Sequence, residues 1–463
     1  MLFSSITFLY YFLPLVLILY FAVPKVLKNT VLLIFSLIFY GWGEPKLLIL
    51  MAVTIFIGYI SANLMDKTEN KKIKKTVFII SITIIFGFLA YFKYASFFVR
   101  NFAAATGISV PVLNIALPIG ISFYTFQIIS YVIDVYWGRE KCEKNLIDFA
   151  AYVTMFPQLI AGPIVRYSDI SLQMKEKRFS SESLYLGFRR FVYGLAKKVL
   201  IANALGALCS DFRTSDAKSV VFYWVYAIAF TLQIYFDFSA YSDMAIGLGK
   251  ILGFDFVENF NYPYVSKSIT EFWRRWHMTL SSWFRDYVYI PLGGNRVSVS
   301  RHIFNIAVVW MLTGFWHGAE WNFVIWGIYF AVFLMLEKYV LKNIMKKIPL
   351  VIRHIAVMTV IVISFVIFNA DGLSGAFSDI SAMFGMAEIP LWSSDTAYFI
   401  RSYSIMIGIA VIGCLPIVKK TFVKAERFTA IRVIEPIVLV VLLLLSTAYL
   451  VDGSYNPFLY FRF

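Results

Sequence analysis

Residues 311–322 read Met-Leu-Thr-Gly-Phe-Trp-His-Gly-Ala-Glu-Trp-Asn, a mostly apolar and aromatic stretch that holds one histidine, His317. An imidazole in such surroundings has to be hydrogen-bonded or to take part in function, because burying a polar group without a partner is costly. The chain contains only 4 histidines, and a second one, His277, lies in another aromatic run at 272–286. The two histidine runs are therefore the first candidates for chemistry.

The composition around these runs determines the class of protein. Over 463 residues, 60% are hydrophobic, 19% aromatic and 15% charged, a balance that does not fit a water-soluble globule. We predict an all-α polytopic membrane protein with about 10 to 12 transmembrane helices, together with re-entrant or broken helices around a central channel. Apolar stretches near the length that spans a hydrocarbon core of roughly 30 Å are 7–23, 47–64, 76–98, 219–236, 351–368 and 433–451. Shorter or interrupted ones are 30–41, 115–136, 147–163, 185–209, 303–316, 322–337 and 403–418.

The net charge of +15 is interpreted as a topology signal and not as a nucleic-acid surface, because the basic residues gather in short loops between apolar stretches. By the positive-inside rule, the basic loops are cytoplasmic and the acidic stretch 369–402 is external. Both termini are then predicted to be extracytoplasmic. The first apolar run lacks a basic region before it, so we expect it to be a retained span. The basic loops are 25–28, 67–75, 342–347 and 419–432.

No repeat or low-complexity linker divides the sequence, so residues 1–463 are predicted to form one integral membrane domain. Its three cysteines, Cys142, Cys209 and Cys414, are scattered without ligand spacing, and we expect neither a disulfide framework nor a metal site.

The central part of the chain, about 118–326, differs from its flanks because polar and charged residues enter its apolar segments. Ionisable groups within a membrane are costly and tend to line a cavity or a path, so a substrate channel is expected here. Asp237 and Asp243 either take part in chemistry or satisfy arginines and cap helices.

The ordered motifs of this centre resemble those of the membrane-bound O-acyltransferase (MBOAT) family, most closely its alginate O-acetylase (AlgI-like) branch. A sister branch that transfers D-alanine to teichoic acids shares much of the pattern, but 241–247 and 289–296 look more like the polysaccharide acetylases. The matching stretches are 118–127, 156–166, 236–245, 259–264, 272–296 and the His317 run.

The resemblance implies an MBOAT fold and an O-acetyltransferase that takes acetyl-CoA as its donor, without a metal. In the family the histidine of the Trp-His-Gly run is catalytic, and the matching residue is His317. Imidazole suits a general base that activates a hydroxyl near neutral pH. The resemblance also implies that His277 lies in the same conduit, where it would orient the thioester or carry a proton, although a structural role is the alternative.

Three arginines beside His277 allow two interpretations. They are either interfacial anchors next to tryptophans, or they bind the phosphates of coenzyme A, whose geometry suits guanidinium groups. The sequence contains no glycine-rich phosphate loop that would decide between the two. These candidate donor-binding residues are Arg274, Arg275 and Arg285.

The chain ends in Phe-Leu-Tyr-Phe-Arg-Phe at 458–463. This segment is similar to the Phe-x-Tyr-x-x-Phe termini of envelope acyltransferases or their small partner peptides, and the resemblance implies that Tyr460 carries the acyl group transiently. The alternative is an aromatic anchor at the membrane interface.

No Gly-x-Ser-x-Gly nucleophile motif is present, so another protein is expected to complete the transfer. The resemblance implies an extracytoplasmic serine-dependent (SGNH-like) acetyltransferase that modifies a polysaccharide outside a bacterial cytoplasmic (inner) membrane. Three alternatives stay open: a D-alanyl or other acyl donor, a transporter or lipid flippase, and a membrane scaffold.

Overall fold

The computed structural model describes residues 1–111, 113, 115–453 and 458–459. The chain forms two compact units. Unit 1 comprises Met1–Phe191 and Tyr241–Val257, and unit 2 comprises Val192–Ala240 and Glu258–Phe463. Two compact units can belong to one membrane domain, so this division does not test the predicted single integral domain. The predicted core at about 118–326 and the predicted central channel also stay predictions.

Unit 1 is built from helices around an aromatic core. The rings of Phe3 and Phe8 lie 4.9 Å apart and those of Phe39 and Phe156 5.7 Å apart, spacings that favour aromatic pairs. The Tyr20 hydroxyl donates to the carbonyl of Leu252 at 2.6 Å. The helices that lie within unit 1 are α1 (Leu13–Ala22), α2 (Lys28–Gly41), α3 (Leu48–Lys67), α4 (Lys71–Leu89), α5 (Ala95–Thr106), α6 (Ile121–Tyr136), α7 (Leu146–Thr154) and α8 (Tyr167–Lys175).

Two further helices have residues in both units: α9 (Ser181–Ala196) and α11 (Val220–Ile251). Unit 2 holds all other helices. These are α10 (Asn203–Thr214), α12 (Ile269–Trp273), α13 (Met278–Phe284), α14 (Val299–His317), α15 (Trp321–Met335), α16 (Lys342–Lys347), α17 (Leu350–Asn369), α18 (Gly372–Met383), α19 (Ser394–Gly413), α20 (Pro416–Ala425) and α21 (Thr429–Asp452).

The predicted all-α class is confirmed, since the described residues form helices and contain no strand. Within that part of the chain, 8 helices are long and apolar enough to cross a membrane. They include three segments that the sequence marked as short or interrupted, around 185–209, 322–337 and 403–418. The first predicted span appears as the shorter apolar helix Phe8–Ala22. The chain is therefore a multi-pass membrane protein, and a total of about 10 to 12 crossings stays a prediction.

Five π-helical turns occur among the described residues, and two of them lie close to residues discussed below. Arg285–Tyr289 follows α13 directly, and Lys197–Ala202 joins α9 to α10. Such turns widen a helix locally and are frequent at functional sites.

Helices α14 and α15 pack closely because glycine stands where their backbones meet. A Cβ atom on Gly314 would lie 2.3 Å from the carbonyl oxygen of Phe323, and one on Gly327 would lie 2.3 Å from that of Trp310. Any larger side chain would push the helices apart. This close packing fixes the end of α14, where His317 is located.

Candidate active site

His317 is the last residue of α14 and is 4% exposed. Its ring centroid lies 5.0 Å from those of Trp316 and Trp326 and 5.3 Å from that of Phe368. A Cβ atom on the next residue, Gly318, would lie 2.2 Å from the ring of Phe323. Helix packing and a glycine contact therefore hold the His317 imidazole in an aromatic enclosure.

His277 is positioned in a different way. It precedes α13 with φ 43° and ψ 53°, the left-handed region that costs an L-residue roughly 1–2 kcal/mol. Its Nδ1 lies 3.1 Å from Oδ1 of Asn259, and the backbone N–H of Met278 donates to the carbonyl of Asn259 at 3.0 Å. His277 is 1% exposed and Asn259 is 0% exposed. The hydrogen bonds to Asn259 stabilise a backbone conformation that is otherwise unfavourable.

The same contacts determine which nitrogen of His277 carries the proton. Oδ1 of Asn259 also accepts hydrogen bonds from the backbone N–H of Thr279 at 3.3 Å and from its hydroxyl at 2.9 Å. Since this atom is an acceptor, Nδ1 of His277 is the donor and Nε2 carries the lone pair. His277 lies outside the candidate spans, and burial lowers its pKa well below the usual range. The ring is therefore neutral, with its lone pair on Nε2.

One indole joins the two histidines. Trp316 lies 5.7 Å from the ring of His277 and 5.0 Å from that of His317, measured between ring centroids, and its side chain is 4% exposed. The structure thus brings together two residues that are 40 positions apart in the sequence. Their roles in catalysis remain proposals.

A cavity of about 260 Å³ opens beside the His277 segment. Its lining includes Arg274, Arg285, Trp273 and Thr313, together with apolar residues of α13 and α14. The indole N–H of Trp273 has no hydrogen-bond partner among the described residues, although its atom is buried. A buried donor in the wall of a cavity is available to a ligand.

The three predicted donor-binding arginines differ in what they contact. Arg275 bonds to Glu271 at 3.0 Å and to the carbonyl of Asn261 at 3.1 Å. Arg285 pairs with Asp286 at 2.7 Å. Arg274 is exposed, and within the described part of the chain its guanidinium makes no hydrogen bond or ion pair. Arg274 and Arg285 line the cavity, whereas Arg275 does not.

The predicted relay residue, Tyr460, lies outside the described residues. The two residues before it are described and buried: Phe458 is 1% exposed and Leu459 is 7% exposed. Leu459 belongs to the same hydrophobic cluster as Trp276, Trp326 and Phe368, the aromatic residues next to the two histidines. The chain therefore returns to the interior of unit 2 immediately before Tyr460.

The two aspartates of α11 have separate partners. Asp237 pairs with Lys198 at 2.7 Å, and Asp243 pairs with Arg190 at 3.0 Å. Each of the two carboxylates therefore forms an ion pair with a basic side chain. Among the described residues, no group of three or more His, Cys, Asp or Glu side chains is placed to hold a metal ion.

Sequence reasoning missed several residues of this site. Asn259 lies in the 259–264 motif, but its neighbours in the sequence do not indicate its role. Lys198 does have a signal, because a lysine within the apolar stretch 185–209 is the kind of residue that marks a functional charge. The contact of His277 with Trp316 had no local signal, because it depends on how distant segments pack.

Sequence comparisons relate this chain to known proteins. A sequence model of the MBOAT, membrane-bound O-acyltransferase, family matches residues 143–378. The chain is 42% identical over 399 residues to the probable alginate O-acetylase AlgI of Azotobacter vinelandii, covering 84% of this chain and 79% of the relative. It is 33% identical over 428 residues to the peptidoglycan O-acetyltransferase of Helicobacter pylori, covering 84% and 81%.

A more distant relative is the teichoic acid D-alanyltransferase of Bacillus subtilis, 30% identical over 238 residues, which cover 48% of this chain and 60% of the relative. The family model spans both histidine segments, and the two acetyltransferase relatives match most of the chain. The chain therefore belongs to the membrane-bound O-acyltransferase family and is an O-acyltransferase.

Proposed function

We propose that this protein takes an acetyl group from acetyl-CoA on the cytoplasmic side of a bacterial cytoplasmic membrane and passes it outward for the O-acetylation of a polysaccharide. The observation that carries the proposal is the shared position of His277 and His317 against Trp316, in an interior that also receives Leu459. Two relatives that match most of this chain are named as a probable alginate O-acetylase and a peptidoglycan O-acetyltransferase, which supports acetyl transfer to an envelope polysaccharide.

In the proposed first step, His317 removes the proton from the phenol of Tyr460 as that oxygen attacks the thioester carbonyl. A C–O bond to tyrosine forms, the C–S bond breaks, and coenzyme A leaves as a thiol with the proton returned by the imidazolium. His277, neutral and with its lone pair on Nε2, orients the thioester or receives the proton. The burial of Phe458 and Leu459 favours this relay over an interfacial anchor.

The cavity beside α13 is the proposed site for the thioester end of the donor. Its volume of about 260 Å³ suits a short thioester-bearing arm better than a whole coenzyme. Arg274, at the wall of this cavity, is the leading candidate to bind phosphate oxygens outside it. Arg275 and Arg285 are weaker candidates, because Glu271 and Asp286 already pair with them.

The second step requires a partner. A serine hydroxyl of an extracytoplasmic SGNH-like acetyltransferase attacks the acetyl ester, the tyrosine phenol re-forms, and the acetyl group moves on to a polysaccharide hydroxyl. An aryl ester is a good donor because phenol, with a pKa near 10, leaves more readily than an alkyl alcohol. In this topology both chain termini face outward, and the 369–402 segment offers a docking surface for the partner.

Two of the acidic side chains in 369–402 are already occupied. Asp379 pairs with Arg213 at 2.8 Å, and Asp395 accepts a hydrogen bond from Ser215 at 2.9 Å. Asp371 and Glu388 are therefore the better candidates for contacts with the partner.

The test is to incubate purified protein with radiolabelled acetyl-CoA and to measure label retained on the C-terminal peptide. We expect label on Tyr460 in the wild type and none in His317→Ala or Tyr460→Phe. Matched controls are His354→Gln, which alters a histidine bonded to the carbonyl of Ser266, and Tyr449→Phe, which alters an exposed tyrosine of α21. Both controls should label as the wild type does.

Other outcomes identify the alternatives. Release of coenzyme A without retained label would overturn the relay and indicate direct transfer. Label from an activated D-alanyl donor but not from acetyl-CoA would assign the chain to the branch of the D-alanyltransferase relative. Absence of both label and coenzyme A release, with solute movement instead, would favour a transporter.

A further inference from the structure

The buried ion pair of Lys198 and Asp237 is unusual in unit 2 because both side chains are 2% exposed. Lys198 lies in the π-helical turn Lys197–Ala202, and Asp237 lies within α11. Removing two charges from water is costly, and their attraction compensates for this only if the remaining polar atoms of the pair are also satisfied. Such a pair therefore needs further partners.

The two oxygens of Asp237 have different partners. Oδ1 accepts from Nζ of Lys198 at 2.7 Å, whereas Oδ2 accepts from the backbone N–H of Leu459 at 2.8 Å. A hydrogen bond from an amide to a carboxylate is about twice as strong as one between neutral groups. The carboxylate thus connects α11 to a backbone atom 222 residues away in the sequence.

Lys198 contacts Phe458, the residue directly before Leu459. Its Nζ lies 4.6 Å from the ring centroid of Phe458, a distance typical of a cation–π interaction. A cation–π contact is stronger when it is shielded from water. The ion pair therefore binds the side chain at 458 and the backbone at 459, both of which are buried.

These contacts hold the chain at Phe458 and Leu459, directly before Tyr460 in the sequence. The side chain of Leu459 packs in the hydrophobic cluster that also holds Trp326 and Phe368, neighbours of His317.

We propose that Lys198 and Asp237 form a tail clamp, an ion pair that holds the C-terminal segment by Phe458 and Leu459 and thereby positions it for acyl loading. Both are positioning residues. Docking of the tail follows from the contacts alone, whereas the effect on acyl loading rests on the relay proposed above. The clamp binds the backbone and one aromatic ring, so its ligand is an aromatic C-terminal peptide.

The first experiment replaces the pair without leaving a buried charge, as Lys198→Met with Asp237→Leu. In wild-type protein in detergent, we expect carboxypeptidase to stop before Phe458. In the double variant, release of Phe458 should be at least about tenfold faster, since a charge-assisted hydrogen bond and a cation–π contact are lost. The rate of tail acetylation from radiolabelled acetyl-CoA should fall by a similar factor.

A matched control is Arg213→Met with Asp379→Leu, which removes another ion pair of unit 2, formed at 2.8 Å. Tail release and acetylation should stay at the wild-type rate there. Lys198→Arg, which keeps the charge and the contact with an aromatic ring, should restore most of the protection. If carboxypeptidase releases Phe458 at the same rate from Lys198→Met with Asp237→Leu as from the wild type, the proposal is overturned.

A second pair of variants tests the clamp from the tail, at Leu459. Leu459→Pro removes the N–H that donates to Asp237, whereas Leu459→Ala keeps it. Hydrogen exchange of the Phe458 amide should be faster in Leu459→Pro than in Leu459→Ala, and equal exchange rates would contradict the backbone contact. Faster exchange with unchanged acetylation would overturn the positioning role.

Failure of the relay gives a different result from failure of the clamp. If wild-type protein retains no acetyl label, the relay is wrong, and the carboxypeptidase comparison still decides whether the pair holds the tail.

Discussion

The two histidine segments reach the same result, a buried imidazole against Trp316, by different physical means. His317 ends a long helix, and tight packing around Gly314 and Gly318 holds it in place. His277 stands in a left-handed backbone conformation, and its hydrogen bond to Asn259 keeps it there. One position depends on steric packing and the other on hydrogen bonds, so the two should respond differently to substitution.

The largest expected effect is that of His317→Ala. Loss of a general base typically lowers a rate by about 10²–10⁴, and we expect acetyl transfer to fall by roughly 10³-fold. The measurement is coenzyme A release by purified protein, with melting temperature as the control for folding. A residual rate above about a tenth of the wild type would remove His317 from the role of base.

Substitution of Gly318 tests the packing that holds His317. Gly318→Ala places a methyl group in the ring of Phe323 and should move the imidazole, with a rate loss of roughly 10²-fold because small misplacements of a catalytic group are costly. The control is Gly408→Ala, since a Cβ there would meet nothing within 4 Å. Equal activity in the two variants would show that packing does not set the position of His317.

His277→Asn examines the second histidine without disturbing its backbone, because asparagine tolerates left-handed φ. If His277 assists His317, the rate should fall by roughly tenfold to a hundredfold, less than in His317→Ala. The double variant should be no slower than His317→Ala alone, since residues that act as a unit are not additive. A larger loss in His277→Asn than in His317→Ala would reverse the assignment of the base.

Asn259→Ala removes the acceptor that fixes the His277 tautomer. We expect a rate loss of up to about tenfold, corresponding to one buried hydrogen bond. The matched control is Asn305→Ala, whose amide donates to the carbonyls of Leu292 and Gly294. If both asparagine variants keep full activity, the hydrogen bond of His277 serves stability alone.

The smallest effect concerns the arginines that flank the His277 segment. Arg274→Gln should raise the KM for acetyl-CoA several-fold at constant kcat, because a phosphate contact worth about 1 kcal/mol would be lost. Arg275→Gln should leave the KM nearly unchanged, since that guanidinium is engaged by Glu271. The same KM in both variants would support the interpretation as interfacial anchors.

Much of the fold could be predicted from the sequence because apolar stretches long enough for a bilayer have few stable alternatives to a helix. The stretches 351–368 and 433–451 each lie within a helix that is long enough to cross a membrane, and 219–236 does so from its second residue onward. The motifs also identified the family, since they occur in a fixed order along the chain. The state of individual polar groups was less predictable. Arg275 looks like its neighbours in the sequence, yet Glu271 one helical turn earlier neutralises it.

The sequence by itself determined that this chain is helical, lies in a membrane, belongs to its family and has His317 as its leading catalytic candidate, because hydropathy and motif order are local properties of the chain. Only the tertiary structure placed His277 and His317 on the same indole, assigned the proton of His277 and showed Leu459 bonded to Asp237. Those facts depend on contacts between residues that are distant in sequence. Which distant residues meet is decided by packing and by the need of buried polar groups for partners, and no local pattern records that choice.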